Sequence, residues 1–219
     1  MPTRVAVNEA GEDIRLSVSI AAEGRSYTVE KRASIIDYLV RLIDDNSIPE
    51  ATTLAKDILS YIRAAYVFAE GDGEVRDRID SIIGTDYDAA NMPTEIEKRE
   101  STEGLYSAAM QLGASPAFLL YIGEGYSAEQ FEIRVDGGIP ETEIVTNSEG
   151  RTYIKVTMYA YAMAEVITYT IDGTDISGEY NIKAYYEFAR GESEALANLT
   201  ARLWRYAESA RAYRDAIAE

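Results

Sequence analysis

The sequence predicts an α+β fold in two divergent halves, each with antiparallel β-strands followed by an α-helical hairpin. Three observations predict it. The stretch LAKDILSYIRAAYVF, Leu54 to Phe68, recurs 145 positions later (199 − 54) as LTARLWRYAESARAY, with Leu54 matching Leu199, Ile58 matching Leu203, Tyr61 matching Tyr206 and Phe68 matching Tyr213. Both copies carry apolar residues at three- and four-residue steps, the period of an amphipathic helix. Alternating runs such as Ile14 to Ile20 and Thr152 to Ala160 have instead the two-residue period of a strand. The order of elements, strands and then helices, precedes each copy. The halves are placed at 1–100 and 101–219, the second being richer in strands.

In order, Thr3 to Val7 and Ile14 to Ile20 read as two strands around a turn at 8–13, with one face to be covered. Ser34-Ile35-Ile36-Asp37 resembles a capping box with Asp in place of Glu, opening a helix that ends near Asn46. Ser47-Ile48-Pro49-Glu50 reads as a second start, with Ser47 capping, Glu50 reciprocating and Pro49 tolerated in the first turn. The Leu54 stripe follows, packed against the face of Ile36, Leu39, Val40 and Ile43. A short helix carries Val75, Ile79, Ile82 and Ile83 and stops at Gly84. Thr85 to Glu103 has few apolar groups and reads as a surface connection. Leu105 to Leu112 could be helix or strand by composition, and the turn and run after it favour strands. Further strands are expected at Phe131 to Val135, Ile144–Val145, Thr152 to Ala160 and Val166 to Ile171. A helix with Ile182, Tyr185, Tyr186 and Ala189 closes at Gly191, and Ser193 caps the last one.

Composition excludes several function classes. The net charge is −17, with 38 acidic residues against 21 basic ones, and no basic block offers itself to nucleic acid or an anionic membrane. The chain has no Cys and no His, which removes Cys- or His-ligated zinc, His-ligated haem, cysteine nucleophiles and imidazole-based triads. No apolar run approaches the roughly 20 residues of a membrane span, so no membrane insertion is expected. The N-terminal residues lack the basic and apolar regions of a signal peptide, and Met1 is expected to begin a fragment.

The segments IRLSVSI, SIIDYLVRLI followed by LAKDILSYIRAAYVF, and VITYTIDGTDISGEYNIKAYYEFA followed by LTARLWRYAESARAYRDAIA resemble an uncharacterised module. That module recurs in large exported and cell-surface proteins of anaerobic gut and rumen Firmicutes, beside repeats, carbohydrate-active domains or anchoring segments. The resemblance covers most of the chain, with Thr85 to Glu103 outside it. It implies a bacterial, extracellular, non-catalytic module, and it transfers no functional residue because its motifs are core-type positions.

The aromatic set is skewed, with 17 Tyr against four Phe and one Trp. Tyr rings can stack on pyranose faces while their hydroxyls bond to sugar or water. Along a regular strand, Tyr153, Lys155, Thr157, Tyr159 and Tyr161 share one face, while Ile154, Val156, Met158 and Ala160 share the other. Tyr153, Tyr159 and Tyr161 are therefore the leading ligand-binding candidates, with Tyr121 and Tyr126 as companions; the competing reading packs these rings under helices or a neighbouring strand. The Tyr residues on helices, Tyr61, Tyr66, Tyr185, Tyr186, Tyr206 and Tyr213, sit at core-facing spacing, and Trp204 is expected to be buried. The acidic turns Glu70 to Glu74 and Asp172 to Asp175 invite calcium, yet neither matches the twelve-residue calcium loop, and solvated turns account for them. No metal and no cofactor are expected.

The function expected is a non-catalytic accessory module of an exported bacterial protein, engaging polysaccharide through a Tyr-bearing sheet face. A structural or protein-interaction module docking on neighbouring surface domains is the alternative. A small glycoside hydrolase would need only two carboxylates about 5 to 9 Å apart, but the core leaves little chain for a deep cleft.

Overall fold

The computed structural model describes residues 14–22, 25–70, 73–112, 116–136 and 138–218. The first element is a hairpin of β1 (Ile14–Ala22) and β2 (Arg25–Ala33), paired antiparallel from Ile14 opposite Ala33 to Ala22 opposite Arg25. The Ile14 run therefore pairs forward in the chain. The expected partner, Thr3 to Val7, and its turn lie outside the described residues.

Three helices and one short turn of helix follow. In α1 (Ile35–Asp45) the capping box forms: Ser34 Oγ accepts from the Asp37 amide at 3.1 Å, and Asp37 Oδ2 accepts from the Ser34 amide at 2.8 Å. Asn46, at φ +44°, ends the helix in the left-handed region. α2 (Pro49–Phe68) starts at its proline, but its N-cap is Ile48, which offers no side-chain oxygen. Ser47, expected to cap, donates instead to Asp45 Oδ2 at 2.7 Å. Next come α3 (Gly73–Ile83), stopped by Gly84 at φ +87°, and the single turn α4 (Tyr87–Ala90). Ile36, Leu39, Ala55, Leu59, Ile62, Tyr66 and Ile79 form a first, wholly helical core.

The remaining described residues build two antiparallel sheets and two α-helices, which makes the fold α+β. The strands are β3 (Glu100–Ser101), β4 (Leu105–Gln111), β5 (Ala117–Ile122), β6 (Phe131–Val135), β7 (Glu141–Thr146), β8 (Thr152–Thr157), β9 (Ile167–Ile171) and β10 (Ser177–Tyr180). One sheet has the order β3-β10-β9-β6 and the other β4-β5-β8-β7. Their apolar faces share one core: Phe118, Leu120, Ile154 and Val156 from one, Ile133, Ile167, Tyr169, Ile171 and Tyr180 from the other. The Phe118 and Tyr180 rings meet edge-on at 5.9 Å between these sheets. Tyr169 lies opposite Gly178, where a Cβ would fall inside its ring, and the phenol reaches past to donate to the Glu103 carbonyl at 2.8 Å. Helices α5 (Ile182–Glu192), capped by Asn181, and α6 (Glu194–Ala218) complete this core with Ala184, Tyr185, Leu199, Leu203, Trp204 and Ala207.

α2 and α6 make the most extensive helix pairing, and Tyr61 faces Tyr206 with ring centroids 6.1 Å apart. α2 thus serves both cores, with Tyr61 and Ala64 in the larger one and Ala55, Leu59, Ile62 and Tyr66 in the smaller. A charged belt surrounds the pairing. Asp57, fully buried, accepts from the Tyr87 hydroxyl at 2.9 Å and forms an ion pair with Arg205 at 3.1 Å whose N–H direction misses hydrogen-bond alignment. Arg63 bridges Asp80 and Asp88, and the buried Arg202 donates to the Asp88 and Asn91 carbonyls at 3.1 and 3.3 Å. Thr85 to Glu103, expected as a plain surface connection, is pinned by these arginines and by Asn181, which donates to the Glu97 carbonyl at 2.9 Å and accepts from the Arg99 amide at 3.2 Å.

Candidate functional site

Strand β8 alternates as its sequence demands. Ile154, Val156 and, just past the strand, Met158 are buried on the core side, while Tyr153, Lys155 and Thr157 are half-buried on the other. Regular strand ends at Thr157, three residues short of the expectation, and a 3-10 turn at Ala160–Ala162 follows. Tyr159 and Tyr161 are therefore not in line with Tyr153. The turn is held by the Ala162 amide donating to the Tyr159 carbonyl at 2.9 Å, and it sends Met163 into the core with no exposure. Burial of Met163 outweighs continuation of the strand, because a large apolar side chain gains about 1.5–3 kcal/mol on leaving water. The Tyr159 and Tyr161 rings stack parallel, 5.6 Å apart and 4° from coplanar, at the turn that packs on α6. Arg214 lies 4.9 Å from the Tyr161 ring and Arg211 pairs with Glu165 at 2.6 Å. Tyr159 is 72 % exposed.

A different set of rings comes together on the sheet itself. Tyr121 of β5 is the direct cross-strand partner of Tyr153, and the two rings lie 5.0 Å apart at 43°. Aromatic pairs of this kind stabilise adjacent strands and keep their rings in place. On the neighbouring strand β4, a register shift between Leu105 and Ser107 leaves Tyr106 unpaired beside Ser107, the residue opposite Tyr121. Tyr106 is 64 % exposed, and the Arg151 guanidinium sits over its ring at 4.7 Å. Tyr106, Tyr121 and Tyr153 are thus carried by three adjacent strands, β4, β5 and β8, on a sheet whose opposite face is core. Tyr126 does not join them: it packs edge-on against Phe131 at 6.5 Å, beside the main core. Tyr106 had no signal of its own in the sequence, because a bulge breaks the two-residue period on which strand faces are assigned.

Arg151, Tyr153 and Lys155 alternate along β8 and its entry. Arg151 is paired loosely with Glu149 at 3.7 Å, and Lys155 with Glu143 at 4.0 Å. The site can therefore offer ring faces, phenol hydroxyls and two cations to a ligand lying on the sheet. The exposed face of the other sheet is different in kind. It holds an open depression of about 510 Å³ lined by Ser101, Glu132, Arg134, Thr168, Thr170, Ser177 and Glu179, with the Tyr169 ring turned inward beneath Gly178. Among the described residues no group of three or more acidic side chains is arranged to hold a metal ion. No described helix is long and apolar enough to cross a membrane. Comparisons with family models, with curated proteins and with solved structures gave no match.

Proposed function

We propose that the chain is a non-catalytic accessory module of an exported bacterial protein and that it binds polysaccharide on the outer face of the β4-β5-β8-β7 sheet. One observation carries the reading: the Tyr121–Tyr153 pair, with exposed Tyr106 next to it, forms a ring-bearing strip across three strands. Rings held by cross-strand contact lose little freedom when a sugar stacks on them, which favours even a shallow site. The sequence resemblance to modules of bacterial surface proteins supports the exported setting. The internal repeat is proposed with it. Its support is that Tyr61 and Tyr206, counterparts in the two matched stripes, face each other as residues on a two-fold axis would, and that α1 and α5 are both 11-residue helices preceding the long ones.

Affinity electrophoresis against a panel of soluble plant and bacterial polysaccharides tests the reading, with Tyr106→Ala and Tyr153→Ala beside the wild type. Retardation of the wild type should weaken roughly ten-fold in each variant, the scale of one lost stacking contact. Tyr106 is the cleaner probe because it is exposed and has no cross-strand partner, so its loss leaves the core intact. If the wild type is retarded by none of the polysaccharides, the binding reading is wrong. Tyr159→Ala is run alongside: if it alone weakens retardation, the site belongs at the stacked Tyr159–Tyr161 pair. The scaffold alternative is favoured by the exposed apolar side chains Phe68, Phe188 and Ile217 on the helices, and an unretarded wild type would leave it ahead.

A further inference from the structure

The two cations flanking Tyr153 narrow the class of ligand, given that the Tyr-bearing face is the binding face. Several basic side chains of this acidic chain are engaged at hydrogen-bond distance: Arg202 with the Asp88 and Asn91 carbonyls, Arg211 with Glu165 at 2.6 Å, and Lys183 with Glu95 at 2.9 Å. Arg151 and Lys155 are not. Arg151 reaches Glu149 only through Nε at 3.7 Å, and Lys155 reaches Glu143 at 4.0 Å, both beyond hydrogen-bond length. Their side-chain N–H groups make no hydrogen bond among the described residues. The Arg151 side chain is 51 % exposed, and its guanidinium is oriented by the Tyr106 ring, which leaves its N–H edge for a planar anion. The two cations are four positions apart (155 − 151), a span of roughly 13 Å along an extended strand, with Tyr153 midway.

We infer that the sheet face selects a carboxylate-bearing polysaccharide, one whose repeating sugars are uronates, over a neutral polymer of the same backbone. Tyr106, Tyr121 and Tyr153 take the sugar faces, Arg151 receives one carboxylate as a bidentate partner, and Lys155 receives another as a point charge. Exchange of the loose Glu149 and Glu143 contacts for ligand carboxylates needs no rearrangement of the strands.

Polygalacturonate and its fully methyl-esterified form share a backbone and differ in charge, so they separate this inference from the reading on which it rests. In titration at low ionic strength, polygalacturonate should bind roughly ten-fold more tightly than the ester, the scale of a charge-assisted contact. The preference should shrink as salt is raised. Arg151→Gln and Lys155→Gln should each reduce the preference, read as the ratio of the two affinities measured for the same variant. Equal binding of both polymers by the wild type would overturn the inference and leave the sugar-binding reading standing. Binding of neither polymer, with retardation by some other neutral polysaccharide, would also overturn it, and binding of no polysaccharide at all would remove both. Arg99→Gln, just before β3 of the other sheet, serves as a charge control: if it lowers the preference as much as Arg151→Gln does, the effect is one of overall charge and the site assignment is overturned.

Discussion

Two aspartates respond to acid in opposite directions. Asp37 accepts from the Ser34 amide and hydroxyl and from Arg78, and these contacts hold its carboxyl at about 2, below its ordinary 3.8. The folded chain therefore holds this proton less tightly than the unfolded one, so the stability it contributes is complete above pH 3.8 and is lost as pH falls toward 2. Asp37 is more than one-third exposed, so solvent screening keeps that contribution below about 1 kcal/mol. Burial pushes Asp57 the other way, above 3.8, against the pull of Arg205 and the Tyr87 hydrogen bond. Its contribution is complete below pH 3.8 and is lost as pH rises through its folded value. Urea midpoints measured between pH 2 and 7 should show Asp37→Asn losing the decline on the acid side, and Asp57→Asn losing the decline on the rising side. Parallel profiles for wild type and both variants would contradict the assignment. Tyr61 belongs to the same buried group, its phenol raised to about 12 chiefly by desolvation, which fits a packing role between α2 and α6.

At the scale of elements, two serines with similar sequence signals have different fates. Ser34 makes both hydrogen bonds of a capping box, whereas Ser47 bonds backward to Asp45 and leaves α2 to begin at Ile48 and Pro49. Ser34→Ala should cost about 1 kcal/mol and Ser47→Ala close to nothing. Equal thermal shifts would show that Ser47 caps in solution. The difference was not legible locally, because Ser-x-Pro-Glu satisfies the start pattern and only the turn of Asn46 into the left-handed region directs the Ser47 hydroxyl toward Asp45. Strand β8 gives the same lesson: its alternation identified Ile154 and Val156 as core and Tyr153 as outward, yet the strand's end depended on where Met163 could be buried. The neighbours of Tyr153 depended on cross-strand register and on the bulge at Tyr106, neither of which has a local sequence signature strong enough to read.

Across the whole molecule, α6 joins the helical layer to the two sheets, and Leu203 is at the junction with no exposure. Leu203→Ala should cost on the order of 2–5 kcal/mol, seen as a lower denaturant midpoint, since the deletion leaves a cavity in the larger core. A midpoint within error of wild type would place Leu203 outside the core. The sequence by itself determined the longer helices and most of the strands, the apolar stripes of α2 and α6, the burial of Trp204 and Tyr61, and the helix stops at Asn46 and Gly84, because periodicity and caps are properties of adjacent residues; the short elements α4, β3 and β10 carried no such signal. Only the tertiary structure decided that the two matched stripes face each other, that Thr85 to Glu103 is clamped by Arg63, Arg202 and Asn181, and that Tyr106 rather than Tyr159 stands beside the Tyr121–Tyr153 pair. Those contacts join residues far apart in sequence, and their register is set by which apolar groups can share a core, a condition that no single segment contains.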